Sequence, residues 1–408
     1  MGVVSLGEAS LEEYKPILGD KKIEEIKILA EKLTGKRVCH VNSTSFGGGV
    51  SEILFRLVPL MRGIGLKTDW NVMKASGEFF NITKTIHNGL QGMMVSLTED
   101  MKKTYLYYNE VNAKELSLDH DFIVLHDPQP APIISYYPHR RGKWIWRCHI
   151  DLSKPNNEIV NFIAPYILQY DSLIFTMMQY VPELWKEKNI AIIPPSIDPI
   201  GNKNKPLQEN TIQSILDKYD VDPNKPILTQ VARFDPWKDP LGVIDVYRSI
   251  KKKLPDVQLL LIASMAYDDP EGWVYYEKTA RYAGNDYDIH FLTDLVGVRE
   301  IEVNAFQRAS DVVLQMSERE GFGLSVAEAL WKEVPVVGRN VGGIPLQIIN
   351  NKTGFLVNSI QEAADKALHL LRHPDEAKQM GRKGREHVLH NFLITRHLED
   401  YLRLFCNL

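Results

Sequence analysis

From Lys36 onward the chain alternates short apolar runs with segments of helical periodicity, and this alternation constrains the fold more than any other feature. A strand covered on both faces reads as a continuous apolar run, and parallel neighbours need a helical crossover between them. RVCHVN, DFIVLHD, KWIWRCHID, SLIFTMM and IAIIPPSID fit one such sheet, after a charged amphipathic stretch near 21–33. The pattern breaks at PIGNKNKPLQEN, residues 199–210, which is polar and rich in turn formers. It restarts with PILTQVARF, VQLLLIASM, IHFLTD, DVVLQMS, VPVVGRN and TGFLV, and a strandless tail closes the chain. At 408 residues the chain exceeds what one core usually serves. The expectation is an α/β protein of two Rossmann-like domains, 1–205 and 206–385, with helices beyond.

Composition narrows the function classes. A formal net charge of -4 gives no basic field for nucleic acid or an acidic membrane. Cys39, Cys148 and Cys406 are far apart and odd in number, which suggests neither a disulfide framework nor a zinc site and fits a reducing cytoplasm. No apolar run approaches the ~18 residues of a membrane span, and the N-terminus lacks a basic start followed by an apolar core. A cytoplasmic enzyme is expected, with a homodimer left open.

The most informative segment is SEREGFGLSVAEALWKEVPVVGRNVGGIP. It follows the strand DVVLQM and sets Glu320 in a glycine-containing turn that opens a helix carrying Glu328. Gly321 and Gly323 let backbone amides approach a ligand, and the helix N-terminus adds about half a positive charge there. A carboxylate in such a turn accepts from sugar hydroxyls, and one two turns along suits a vicinal diol such as ribose. Two glutamates at this spacing alone are more often ordinary helix acids. Gly342 and Gly343 change that balance by placing a second close-approach turn after the next strand.

In VARFDPWKDP, Arg233 ends the first strand of the second domain and Lys238 lies in the following turn, before Asp239 and Pro240, which read as an N-cap and a first helical position. Two cations beside a helix N-terminus suit a diphosphate leaving group, with no metal required. In the first domain the turn Gly47-Gly48-Gly49 joins a strand to a helix without matching GxGxxG, so it points to phosphates or acceptor and not to a nicotinamide cofactor. LHDPQP offers His126 and Asp127, and WRCHIDLS offers Arg147, His149 and Asp151, as acceptor-side groups. The literal DxD of Asp286 and Asp288 precedes its strand and reads as a turn, and the aromatic run GWVYYEKTARY reads as a packed helix face.

These motifs together resemble the retaining glycosyltransferases of family 4, over nearly the whole chain. The resemblance implies a GT-B fold, with two Rossmann-like domains facing a cleft and a C-terminal helix, about 386–408, returning to the first domain. It implies catalytic roles for Arg233, Lys238 and Glu320. Donor binding would fall to Gly48, Gly49, Arg233, Lys238, Gly321, Phe322, Gly323, Leu324 and Glu328, with the base edge at Thr293 to Leu295. Asp127, Arg147, His149 and Asp151 would serve sugar and acceptor, and no metal or cofactor would be required. HDPQP and RCHIDLS look most like the trehalose-forming branch, which joins glucose from a nucleoside diphosphate to free glucose in an α,α-1,1 linkage. Trehalose phosphorylases are similar at these segments. Glu333 and Thr293 stand where many members have glycine, and Leu346-Gln347 replaces the usual acidic residue after GGIP.

The resemblance implies a front-face reaction in which the departing diphosphate helps accept the acceptor's proton. Three other readings stand beside it: a trehalose phosphorylase, a sugar-nucleotide epimerase, which would have no use for acceptor groups at Asp127 and His149, and a sugar-binding protein without catalysis.

Overall fold

The computed structural model describes residues 2–45, 48–265 and 270–408. Gly47 of the glycine turn lies outside them. The chain forms two compact units, Met1–Pro195 with Ile394–Leu408, and Ser196–Leu393.

Among the described residues the first unit holds seven strands: β1 (Gly2–Val3), β2 (Arg37–Asn42), β3 (Lys67–Val72), β4 (Phe122–His126), β5 (Lys143–Arg147), β6 (Ser172–Phe175) and β7 (Ile190–Ile192). Their order is β1-β3-β2-β4-β5-β6-β7, parallel except for β1. From β2 the chain runs outward to β3 and then reverses through β4 to β7, so the order switches between β2 and β4. Trp144, Trp146, Trp185 and Phe175 fill the core beside the later strands. Trp146 meets Trp185 edge-on at 5.6 Å. The helix Ile394–Asn407 closes this unit, with Phe405 stacked on Phe122 at 4.3 Å and His397 Nδ1 donating to Pro194 O at 3.0 Å.

Among its described residues the second unit has a parallel sheet of six strands: β8 (Ile227–Val231), β9 (Gln258–Ala263), β10 (Ile289–Thr293), β11 (Val312–Gln315), β12 (Val336–Arg339) and β13 (Gly354–Val357). The order β10-β9-β8-β11-β12-β13 reverses between β8 and β11. Strand β9 shows why its sequence is apolar throughout: Leu259 and Leu261 enter one core while Leu260 and Ile262 enter the core on the opposite face. Each such side chain contributes on the order of 1.5–3 kcal/mol by leaving water.

The unit boundaries differ from the expected ones for local reasons. Residues 196–205 join the second unit, because Asn304 Nδ2 donates to the carbonyls of Asn202 and Lys205 and Arg308 Nη2 to those of Asn204 and Lys205. Polar composition there reflects backbone tethering, so the division falls after Pro195 and not after 205. The helix Pro374–Asn391 also stays with the second unit, where Arg385 lies over Trp331 at 4.6 Å and His387 Nε2 donates to Leu346 O at 2.9 Å. The returning segment therefore begins at Ile394 and not near 386.

The turns after β11 and β12 interlock: Gly343 N donates to Glu320 O at 3.0 Å. A Cβ on Gly343 would meet Gly321 O at 2.6 Å and Phe322 Cα at 2.7 Å, both backbone atoms that cannot swing aside. Gly343→Ala should therefore lose about 1–3 kcal/mol of stability, read as a lowered Tm in thermal denaturation; an unchanged Tm would show that the two turns are not packed this way.

Candidate active site

Both units place their polar strand ends at the switch in strand order, where open parallel sheets leave a crevice. In the second unit the switch lies between β8 and β11. Lys238 follows β8 and Glu320 follows β11, and Lys238 Nζ donates to Glu320 Oε2 at 2.7 Å. The same oxygen accepts from Gln315 Nε2 at 3.0 Å and Ser317 Oγ at 3.1 Å. The pair is largely buried, with 18% and 9% of the side chains exposed, so each charge keeps the other from standing alone in a dry turn.

The backbone around Lys238 is pinned from several directions. Gln230 Nε2, on β8, donates to Lys238 O at 2.8 Å, and Glu318 N donates to Trp237 O at 2.7 Å, joining the two turns. Asp239 caps the helix Pro240–Lys251 by accepting from Gly242 N at 2.9 Å, in a left-handed conformation at φ 47, with Pro240 first in the helix. Arg339, at the end of β12, reaches Asp239 Oδ2 at 3.0 Å. Arg233 is more open, its side chain 59% exposed and 3.4 Å from Asp235 Oδ2.

Gly323, at φ 83, leads into the helix Leu324–Trp331. Phe322 is buried and stacks edgewise near Phe392, with ring centroids 5.4 Å apart. Glu328 lies deep on this helix, 1% exposed, with Lys203 Nζ at 3.5 Å. Gln347, of the Leu346-Gln347 pair that replaces the usual acidic residue, donates its amide to Phe322 O at 2.5 Å and Gly323 O at 3.3 Å, bonds that an ionised carboxylate cannot donate. Thr293 has ordinary extended backbone at φ -119 and is buried, whereas Leu295, in the turn after the outermost strand β10, is 42% exposed. Glu333 sits at φ 64, which matches its standing where glycine is common. The DxD carboxylates are engaged by Lys251 Nζ, at 2.7 Å from Asp286 and 2.9 Å from Asp288.

In the first unit the switch lies between β2 and β4, and a cavity of about 110 Å³ opens there, lined by Asn42, Thr44, Gly48, Gly49, His126 and Asp127 among others. Gly48 O accepts from Ser51 Oγ at 2.9 Å, and Gly49 begins the helix Gly49–Gly63. Asp127 is strained at φ 64, a conformation costing about 1–2 kcal/mol. It is held there by Asp127 N donating to Arg147 O at 2.8 Å and Trp146 Nε1 donating to Asp127 O at 2.8 Å. Its Oδ1 accepts from His149 N at 2.8 Å, and burial pushes the Asp127 carboxyl up to about 7.

His149 extends a column of imidazoles not anticipated as a unit. His126 Nδ1 lies 3.0 Å from His149 Nε2, and His126 Nε2 lies 3.0 Å from His40 Nδ1. Burial, together with neighbouring His40, His149 and Arg147, holds His126 well below its ordinary value, and burial and Arg147 do the same for His149. Arg147 and Asp151, the other acceptor-side candidates, are both buried. Arg147 is fully buried, with no hydrogen-bond partner for its guanidinium nitrogens among the described residues, and Asp151 Oδ1 accepts from Ser153 N at 2.9 Å in a buried turn. Ser317 opens the quoted glutamate segment and Gln315 and His40 lie in strands, but sequence assigned none of the three a role; only their nearness in space to Glu320 or His126 marks them.

Since the raised Asp127 pKa means that the native state holds this proton more tightly than the unfolded chain, the resulting stability is present at about pH 4 and is lost as pH rises through about 7. The Tm of the parent chain relative to Asp127→Asn should therefore fall between about pH 4 and about pH 8. A pH-independent difference in thermal denaturation would contradict the assignment.

Two family models match: trehalose synthase, N-terminal domain, over residues 40–182, and glycosyl transferases group 1, over 211–387. The chain is 57% identical to a trehalose synthase of Thermococcus litoralis, covering 97% of this chain and 96% of that protein. A trehalose phosphorylase of Pleurotus pulmonarius is 27% identical over 85% of this chain and 54% of its own length. Among solved structures, an α,α-trehalose 6-phosphate synthase from Burkholderia multivorans, 14% identical, superposes with a TM-score of 0.72 over 92% of this chain and 98% of that one, a likeness of fold. Among the described residues no helix is long and apolar enough to cross a membrane. By its sequence relatives and its pair of parallel Rossmann-like sheets, the chain belongs to the trehalose synthase family of GT-B glycosyltransferases and is a trehalose-related glycosyltransferase.

Proposed function

We propose that the protein transfers glucose, with retention of configuration, from a nucleoside diphosphate glucose to free glucose, forming α,α-trehalose. The observation that carries this reading is the Lys238–Glu320 pair at the strand-order switch of the second unit. Lys238, with Arg233 beside it, takes the diphosphate, and the helix that begins at Leu324 adds its N-terminal dipole. Glu320, in the turn Gly321-Phe322-Gly323, accepts from hydroxyls of the donor sugar. Glu328 holds the ribose, and the backbone near Thr293 and Leu295 meets the base. In the first unit Gly48 and Gly49 serve the donor phosphates, while Asp127 and His149 address the sugar. Arg147 and Asp151 support that face from within the unit.

The chemistry follows from charge. As the bond from the anomeric carbon to the diphosphate breaks, negative charge grows on the leaving oxygen, and fixed cations lower that barrier most when water is excluded. The departing diphosphate accepts the acceptor hydroxyl's proton on the same face, which preserves the anomeric configuration. No resident metal or cofactor is needed for these steps. A trehalose phosphorylase is the second reading, favoured by the partial relative, though this chain spans only 54% of that protein and 96% of the synthase.

Release of nucleoside diphosphate from ADP-, UDP- or GDP-glucose should depend on glucose, and anomeric NMR of the product should show a symmetric α,α-linked disaccharide. Lys238→Ala should lower kcat/KM by at least ~2 kcal/mol, about 30-fold. Glucose 1-phosphate formed from trehalose and inorganic phosphate, without nucleotide-dependent transfer, would replace this reading with the phosphorylase.

A further inference from the structure

The imidazoles of His40, His126 and His149 form a line whose proton arrangement is restricted by geometry. Both contacts are 3.0 Å between ring nitrogens, and successive rings lie 5.3 Å apart at interplanar angles of 31° and 20°. A neutral imidazole carries one N–H and one lone pair, so each contact needs one hydrogen. Only two arrangements of three neutral rings satisfy both contacts. In one, His40 Nδ1–H donates to His126 Nε2, His126 Nδ1–H donates to His149 Nε2, and His149 bears its hydrogen on Nδ1. In the other every hydrogen shifts to Nε2, and the last one points from His40 Nε2 into the protein interior.

The two ends of the line are unequal. His40 is fully buried, and its Nε2 has no hydrogen-bond partner among the described residues. Its ring packs against the Tyr401 ring at 5.9 Å. Hydrogen on that nitrogen would be an orphaned buried donor, which folded proteins avoid more strictly than an underused acceptor. His149, by contrast, is partly exposed, and its backbone is fixed by Asp127 Oδ1 at 2.8 Å. The buried end therefore selects the first arrangement.

We propose that His126 and His40 are positioning residues that hold His149 in its Nδ1–H tautomer, so that His149 meets the sugar as a hydrogen-bond donor and not as a base. The role toward sugar rests on the placement of His149 given under the proposed function, whereas the tautomer does not. Side-chain ¹⁵N NMR of the histidine-labelled full chain, with the His149 signals assigned by comparison with His149→Gln, reads the tautomer directly. The expected spectrum shows protonated Nδ1 and unprotonated Nε2 on His149. His126→Leu should release His149 to the Nε2–H form favoured by free imidazole and lower kcat/KM about tenfold, the loss of about one hydrogen bond. His126→Asn, whose amide can donate from the place of Nδ1, should keep both tautomer and rate. Nε2–H on His149 in the parent chain would overturn the proposal whether or not the variants fold. The expected tautomers with an unchanged rate in His126→Leu would overturn the positioning role and the placement of His149 beside sugar, leaving the histidine line itself intact.

Discussion

The second unit is organised around one ion pair. Lys238 and Glu320 come from separate strand ends, 82 residues apart in sequence, and meet at 2.7 Å with little solvent. A lone ammonium or carboxylate at that depth would cost several kcal/mol, so each side chain requires the other. The supports follow from this requirement: Gln315 and Ser317 satisfy the shared oxygen, Gln230 fixes the Lys238 backbone, and Trp237 O ties the turn to Glu318 N. The pair is thus preorganised before any ligand arrives, which is the condition under which fixed charges contribute most to a reaction.

The first unit uses different chemistry at the equivalent point in its topology. Its switch between β2 and β4 gathers hydrogen-bonded groups: glycine backbone, a carboxyl whose pKa burial raises to about 7, and histidines that burial keeps uncharged. The strained backbone of Asp127 is held by bonds from Trp146 and to Arg147, so the buried core of tryptophans and the site are mechanically one structure. Under the proposed reaction the cations of the second unit and the glycine backbone of the first serve the phosphates, while Glu320, Glu328, Asp127 and His149 serve hydroxyls.

Much of this was legible in sequence because strands buried on both faces are written as apolar runs. RVCHVN became β2 and VQLLLIASM contained β9 for that reason. β3, KTDWNV, did not stand out: it alternates exposed Lys67 and Asp69 with buried Thr68 and Trp70, and polar residues conceal the run. The polar stretch at 199–210 looked like a linker, yet its first part is bound through its carbonyls, which composition does not record. Candidate site residues within a motif, such as Glu320 in its glycine turn, were visible because backbone geometry demands glycine there. The histidine line was not, since its contacts join residues 86 and 23 positions apart. Arg147, offered by its strand-end position as an acceptor-side candidate, is completely buried, a depth that its place in the sequence does not record.

In the proposed reaction Lys238, preorganised by Glu320, supplies the positive charge for the donor's diphosphate without a metal ion. The most direct test is calorimetric titration of a nucleoside diphosphate into the parent chain and into Lys238→Met, both in EDTA. The parent chain should bind under chelation, and the variant should bind at least about tenfold more weakly. Equal affinity in the two proteins, or parent binding that appears only when a divalent cation is added, would contradict it.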